Sequence, residues 1–113
     1  MSGPTGDKRR FFRGAPSQRI VIEDVVAKRE IGQLVNLSEA GFMVLGDMTV
    51  DIGNNYQFTL HFPTAVEART ELNLSAECLW SMETNGGGQY WSGFSVTGLT
   101  DEKKQLFRKL QLN

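Results

Sequence analysis

Between positions 56 and 62, Tyr56, Phe58, Leu60 and Phe62 alternate with Gln57, Thr59 and His61. A period of two puts all four large apolar groups on one face of an extended chain, the pattern of a half-buried antiparallel strand. A longer stretch, 69–82, repeats it: Leu72, Leu74, Ala76, Cys78 and Trp80 share one parity, and Glu71, Asn73, Ser75 and Glu77 the other. Shorter runs rich in Val, Ile, Phe and Leu near 18–23, 27–36, 41–45 and 89–97 are separated by Gly, Asn and Asp, which brings the expected strands to six. Thr84-Asn85-Gly86-Gly87-Gly88, between the last two, supplies positive φ at little steric cost and predicts a hairpin.

The period changes only near the end of the chain. Leu106 and Leu110 are four apart and Phe107 sits three before Leu110, one apolar helical stripe. Thr100 can cap this helix, Asp101 and Glu102 suit its positive end, and Arg108 and Lys109 its negative end. A chain of 113 residues has material for one domain. Six strands with no helix between them favour an antiparallel sheet, and at this size closure removes the exposed edges. The expected fold is therefore all-β, a six-stranded antiparallel barrel with a C-terminal α-helix over one opening or flank.

Composition narrows the function by exclusion. Hydrophobic residues at 40% and charged residues at 22% are ordinary globular usage, which argues against wholesale disorder. No apolar run approaches the roughly 20 residues of a spanning helix, and Met1 to Lys8 has no apolar stretch for a signal peptide, so a cytoplasmic location is expected. Cys78 is the only cysteine, which rules out an intramolecular disulfide and fits a reducing compartment. A net charge of −1 gives the whole protein no electrostatic reason to coat nucleic acid or an anionic membrane. Catalysis finds no parts either. His61 is the only histidine and lies on the polar parity of its strand, so neither a zinc set nor a Cys-His pair can be assembled. Gly86-Gly87-Gly88 lacks the Lys-Ser/Thr and following helix of a phosphate loop. A non-enzymatic protein without a metal or cofactor is expected.

Two short motifs remain. Residues 1–8, with Gly3, Pro4 and Gly6 among small polar residues, read as a flexible tail, after which Lys8, Arg9, Arg10 and Arg13 crowd into six positions. Arg9-Arg10-Phe11-Phe12-Arg13 has the form RxxxR, and Asn36-Leu37-Ser38-Glu39-Ala40-Gly41 the form NxSxxG at the turn between the second and third strands. Alone, the first reads better as a solvated basic tail and the second as an ordinary Asn/Ser/Gly turn. Their order, RxxxR just before an antiparallel barrel and [DN]xSxxG at its second turn, resembles the PilZ family of bacterial cyclic di-GMP receptors. The resemblance covers the chain from Lys8 onward and makes 9–113 a PilZ domain. Cys78-Leu79-Trp80, the hairpin and Gly93-Phe94 look most like the small stand-alone receptors. Asn36 departs from the Asp of many members; it keeps an acceptor, adds a donor and loses a charge.

The resemblance implies a ligand and a division of roles. Cyclic di-GMP presents two singly charged phosphates and two guanines, and a guanidinium can fork onto phosphate or onto guanine O6 and N7, or stack on the base. Arg9 and Arg13 are the leading ligand residues and Arg10 a secondary contact. Asn36 and Ser38 would bond the other polar edges, and Gly41 would let backbone and base approach closely. Trp80 has two readings: its parity places it in the core, while the resemblance makes it a platform for guanine. One of Phe11 and Phe12 would anchor the linker against the barrel. The function implied is a cyclic di-GMP receptor or adaptor whose N-terminal linker changes conformation on binding and signals to a protein partner that the sequence does not identify. The alternatives are a PilZ-like interaction module without ligand, against which the intact RxxxR argues, and a single-stranded nucleic-acid barrel, against which the placement of the basic cluster in the linker argues.

Overall fold

The computed structural model describes residues 14–38 and 40–111. Six strands, β1 (Val21–Asp24), β2 (Arg29–Leu37), β3 (Gly41–Gly46), β4 (Asn55–Val66), β5 (Arg69–Glu83) and β6 (Tyr90–Thr97), precede helix α1 (Asp101–Leu110). Every neighbouring pair is antiparallel, and the sheet closes on itself in the order β1-β2-β3-β6-β5-β4. The expected barrel and terminal helix are both present. β4 continues to Val66, past the end that its aromatic alternation marked at Phe62, and turns into β5 through Glu67 and Ala68, both at positive φ.

Closure rests on β1, which pairs with β2 on one side and with β4 on the other; Val21 lies opposite both Gln33 and His61. Asp24 ends the strand by accepting the N–H groups of Val26 at 3.0 Å and Ala27 at 3.1 Å, which turns the chain into β2. The alternation read from the sequence fills the interior. Phe58, Leu60 and Phe62 from β4 and Leu72, Leu74, Ala76 and Cys78 from β5 are buried together. Phe94 stacks on Phe42 at 5.3 Å between ring centroids and meets Phe58 edge-on at 5.1 Å, arrangements that suit the ring quadrupoles.

Besides the register shift between His61 and Val66 where β4 pairs with β5, three bulges in β2 and β5 modify the alternation. Gly32 faces Ile22 but Glu30 faces Glu23, so Ile31 is an extra residue. Leu34 faces Val44 but Asn36 faces Met43, so Val35 is extra; Cys78 faces Phe94 but Trp80 faces Gly93, so Leu79 is extra. Each insertion resets which parity points inward. Leu34 and Leu37, three apart, are therefore both buried, and Trp80 comes out of the barrel although Cys78 stays within it.

Helix α1 closes one flank with Leu106, Phe107 and Leu110, all buried in the common core. The Thr100 hydroxyl accepts the Lys103 N–H at 3.2 Å as its N-cap, and Arg69 with Glu102 and Lys109 with Glu67 pin its outer face to the barrel. The chain entering the barrel is laid beside the helix end. Gly14 and Leu37 exchange both backbone hydrogen bonds at 3.0 Å, and Ser17 donates to the Leu110 carbonyl at 2.6 Å. The buried Gln111 side chain donates to the Leu37 carbonyl at 2.9 Å.

These contacts set two expectations for chemical unfolding in urea. Phe107→Ala removes a fully buried ring and should lower stability by about 3–5 kcal/mol. Thr100→Ala removes only the cap and should cost about 1 kcal/mol.

Candidate functional site

The bulges bring together, on the outside of the barrel, residues that are far apart in sequence. Leu37, Phe42, Phe94 and Cys78 form one cross-strand row through β2, β3, β6 and β5, and all four are buried. The next row along the same strands, Asn36, Met43, Gly93 and Trp80, faces outward. Beside it lies a cleft of about 220 Å³ lined by Ser38, Gly41, Met43, Leu79, Trp80 and Ser95 among others. Three residues expected at the site, Ser38, Gly41 and Trp80, thus line one cleft, and Asn36 is the register partner of the lining residue Met43 without lining the cleft itself. Arg9, Arg10 and Arg13 lie outside the described residues.

Trp80 corrects the parity argument. It counts with Leu72, Leu74, Ala76 and Cys78, and without an interruption it would be in the core. The extra residue at Leu79 turns it outward, and it is 38% exposed. Its neighbours Leu79 and Met82 are exposed as well.

Ser38 is buried and organises the turn that follows β2. Its N–H donates to the Gly41 carbonyl at 2.9 Å, and its hydroxyl accepts the Ala40 N–H at 3.3 Å. Gly41 needs no left-handed conformation here. A Cβ on it would collide with the Phe94 carbonyl oxygen across the β3–β6 ladder, so strand proximity alone requires glycine. Asn36 is half-buried. Its Nδ2 approaches the Met43 sulfur at 3.9 Å, while its Oδ1 is buried and accepts no hydrogen bond among the described residues.

The other reactive groups lie apart from the cleft chemistry. His61 bonds Glu23 at 2.8 Å on the outer face of β4, with Glu71 at 3.9 Å, all three partly exposed. Burial pushes the Cys78 thiol up, and the thiol donates to the Trp80 carbonyl oxygen at 3.5 Å. Among the described residues no three His, Cys, Asp or Glu side chains are grouped to hold a metal ion, and no helix is long and apolar enough to cross a membrane. Met43, Leu79 and Ser95 were not expected at the site. Only the pairing of β3, β6 and β5 places them there.

A small closed barrel thus carries an N/S/G turn beside an outward tryptophan, at a cleft with no charged side chain among its described lining residues. The family model for the PilZ domain matches residues 7–111, and the chain belongs to that family. Solved structures agree in fold. The PilZ domain of YcgR from Escherichia coli, solved with c-di-GMP, superposes with a TM-score of 0.65 at 16% identity over 91% of this chain and 88% of that one. The longer YcgR chain in complex with c-di-GMP gives 0.66 at 15% identity over 90% of this chain and 43% of that one. The inhibitor of motility MotI/DgrA from Bacillus subtilis gives 0.67 at 14% identity over 91% and 49%. The chain thus spans about half of the MotI chain and less than half of the longer YcgR chain. A search of curated proteins finds no match.

Two outcomes follow from the local geometry. Gly41→Val should destabilise the protein without any ligand, by about 1–3 kcal/mol for overpacking against the Phe94 carbonyl, read as a lower urea midpoint. Cys78, buried and with its thiol held protonated, should react with a thiol reagent at pH 8 only after denaturant is added.

Proposed function

We propose that this protein is a cytoplasmic, non-enzymatic receptor for cyclic di-GMP that passes the signal to a protein partner. The observation that carries this reading is the Gly14–Leu37 bridge. It fixes the residue directly after Arg13 against the strand segment that bears Asn36 and runs into Ser38. The residue that follows the RxxxR motif is therefore held beside the strand that runs into the NxSxxG turn. From Gly14, an extended chain of five residues spans at most about 17 Å, so Arg9 and Arg13 can both reach a ligand seated there.

The chemistry of the cleft supports the same division of labour. None of its described lining residues is charged, so it offers a purine a flat wall and a few polar atoms but offers a phosphate no counter-charge. The RxxxR segment supplies what is missing, since guanidinium forks match both phosphate and the guanine O6/N7 edge. Size points the same way. At about 220 Å³ the cleft is smaller than the roughly 300–1,000 Å³ of a site that encloses a drug-sized ligand. It takes a base, and the rest of the dinucleotide is held from outside by the linker. Ser38 lines the cleft and its hydroxyl keeps an acceptor site beyond its two turn bonds. Asn36, beside the lining Met43, offers its Oδ1, which has no donor among the described residues, once its side chain turns toward the cleft.

In this reading the linker is the switch. Four cations in six positions repel one another, and two phosphates neutralise them. Gly14 is already paired with Leu37, so ordering on binding belongs upstream of it, from Lys8 to Arg13, and a partner reads the result.

Calorimetric titration with cyclic di-GMP, GTP and a short RNA tests the reading; a response to cyclic di-GMP alone is expected, and a preference for RNA or no response at all overturns it. Arg9→Ala and Arg13→Ala should each weaken binding about 10- to 150-fold, the loss of one charged hydrogen bond, with the unliganded thermal midpoint unchanged. Amide exchange should show protection gained at 8–13 on saturation while Gly14 is protected throughout.

A further inference from the structure

The outward row of the cleft contains one residue with no side chain, Gly93, and the Trp80 indole lies across it. A Cβ built on Gly93 would come within 3.0 Å of three indole atoms, Nε1, Cε2 and Cζ2. Real contacts of a Cβ do not reach this range, so the ring occupies the space that any other residue would claim. The three nearest obstacles are all atoms of Trp80, and none is backbone. The requirement for glycine at 93 is thus imposed by the indole, unlike that at Gly41, which the Phe94 carbonyl imposes.

We infer that Gly93 is a positioning residue for the ligand site, acting through Trp80: the glycine is the floor that lets the indole lie down against β6 at the margin of the cleft. The inference rests on the proposed reading of the cleft as a base-binding site. Three features of the fold converge on this pose. The bulge at Leu79 turns Trp80 out of the core. Hydrogen bonding from the Cys78 thiol to the Trp80 carbonyl ties down the backbone that carries the ring. Gly93 is directly opposite Trp80 in register and, on its other side, opposite Met43. A side chain on Gly93 would lift the indole off the sheet and tip it into the space lined by Met43, Leu79 and Ser95.

Stacking on an aromatic ring depends on the ring's being parallel to the base at van der Waals distance, so a lifted indole is a poor wall even though no contact residue has been deleted. Gly93→Ala should therefore behave like partial removal of Trp80.

The test is a double-mutant cycle read by calorimetry with cyclic di-GMP, together with tryptophan fluorescence in a Trp91→Phe background so that Trp80 is the only emitter. Gly93→Ala should lower affinity about tenfold or more, as expected for a disrupted base–aromatic stack. It should also shift Trp80 emission to the red and raise its quenching by acrylamide. In a Trp80→Ala background the same substitution should change affinity less than about twofold, because the residue through which it acts is gone. Thermal melts guard against a folding artefact: Gly93→Ala should lower the midpoint when Trp80 is present and leave it unchanged when Trp80 is alanine. Equal losses of affinity in both backgrounds, or unaltered Trp80 emission and quenching in Gly93→Ala, would overturn the inference while leaving the receptor reading intact. Absence of cyclic di-GMP binding by the unmodified protein would overturn both.

Discussion

A sheet of six strands encloses an aromatic core fully only if it has no edge, and here the edge is removed by the four residues of β1. Ile20 and Ile22 are fully buried, and the strand between Val21 and Asp24 pairs on both sides at once. Were β1 to detach, β2 and β4 would each expose an unpaired backbone row, and the cluster of Phe42, Phe58 and Phe94 would lose its enclosure. Closure also defines an inside and an outside. A residue can reach the surface of a closed barrel only if its strand's register turns it there, so the position of every site residue is a statement about register.

Register is controlled by the bulges. Val35 in β2 and Leu79 in β5 are extra residues that lie at the two ends of a row that crosses four strands. The first lets Leu34 and Leu37 both face the core and so presents Asn36 outward. The second does the same for Trp80 after Cys78. Without either insertion the inner and outer rows would fall out of step at one end, and the cleft would lose a wall or the core would lose a residue. The two bulges thus build the site without adding a residue to the core, and they leave Gly93 in the middle of the outward row, where the indole needs a flat floor.

Much of the fold was legible because period two and period 3.6 are strong signals. Phe58, Leu60 and Phe62 of the aromatic alternation, the parity of Leu72 through Cys78 and the stripe of Leu106, Phe107 and Leu110 fill the core as read, and Tyr56 packs half-buried against it. The caps of α1 were legible for the same local reason: Thr100 bonds the Lys103 N–H three residues on. What could not be read was anything that depends on a partner strand. A bulge is a mismatch of count between two strands, and one strand's sequence does not carry it. Trp80 therefore counted as core by parity, and Met43, Leu79 and Ser95 gave no sign of their place in a cleft. The requirement at Gly41 was traced to ligand approach, whereas the Phe94 carbonyl across the ladder imposes it with no ligand involved.

In the proposed function this geometry separates recognition from switching. The barrel holds uncharged elements: a tryptophan on a glycine floor, a buried turn hydroxyl at Ser38 and an Asn36 acceptor that has no donor among the described residues. Such elements orient a base but gain little from charge, so their contribution barely depends on salt. The charged contacts all belong to the segment that enters at Gly14, whose cations repel one another until phosphate is bound, and these contacts are screened over a Debye length of about 8–10 Å at physiological to 0.1 M salt. Affinity should therefore fall with ionic strength chiefly through the linker, while discrimination between purine rings, set by the barrel, should hold. A receptor arranged in this way can move its charged arm without disturbing its core. Among the described residues the entering chain joins the core through Gly14 on Leu37 and Ser17 on Leu110, and the Leu37 carbonyl accepts from both the Gly14 backbone and the Gln111 side chain at the helix end. A displacement of the arm on binding must be absorbed there or passed on to α1, which makes the helix end the nearest part of the folded domain to feel occupancy.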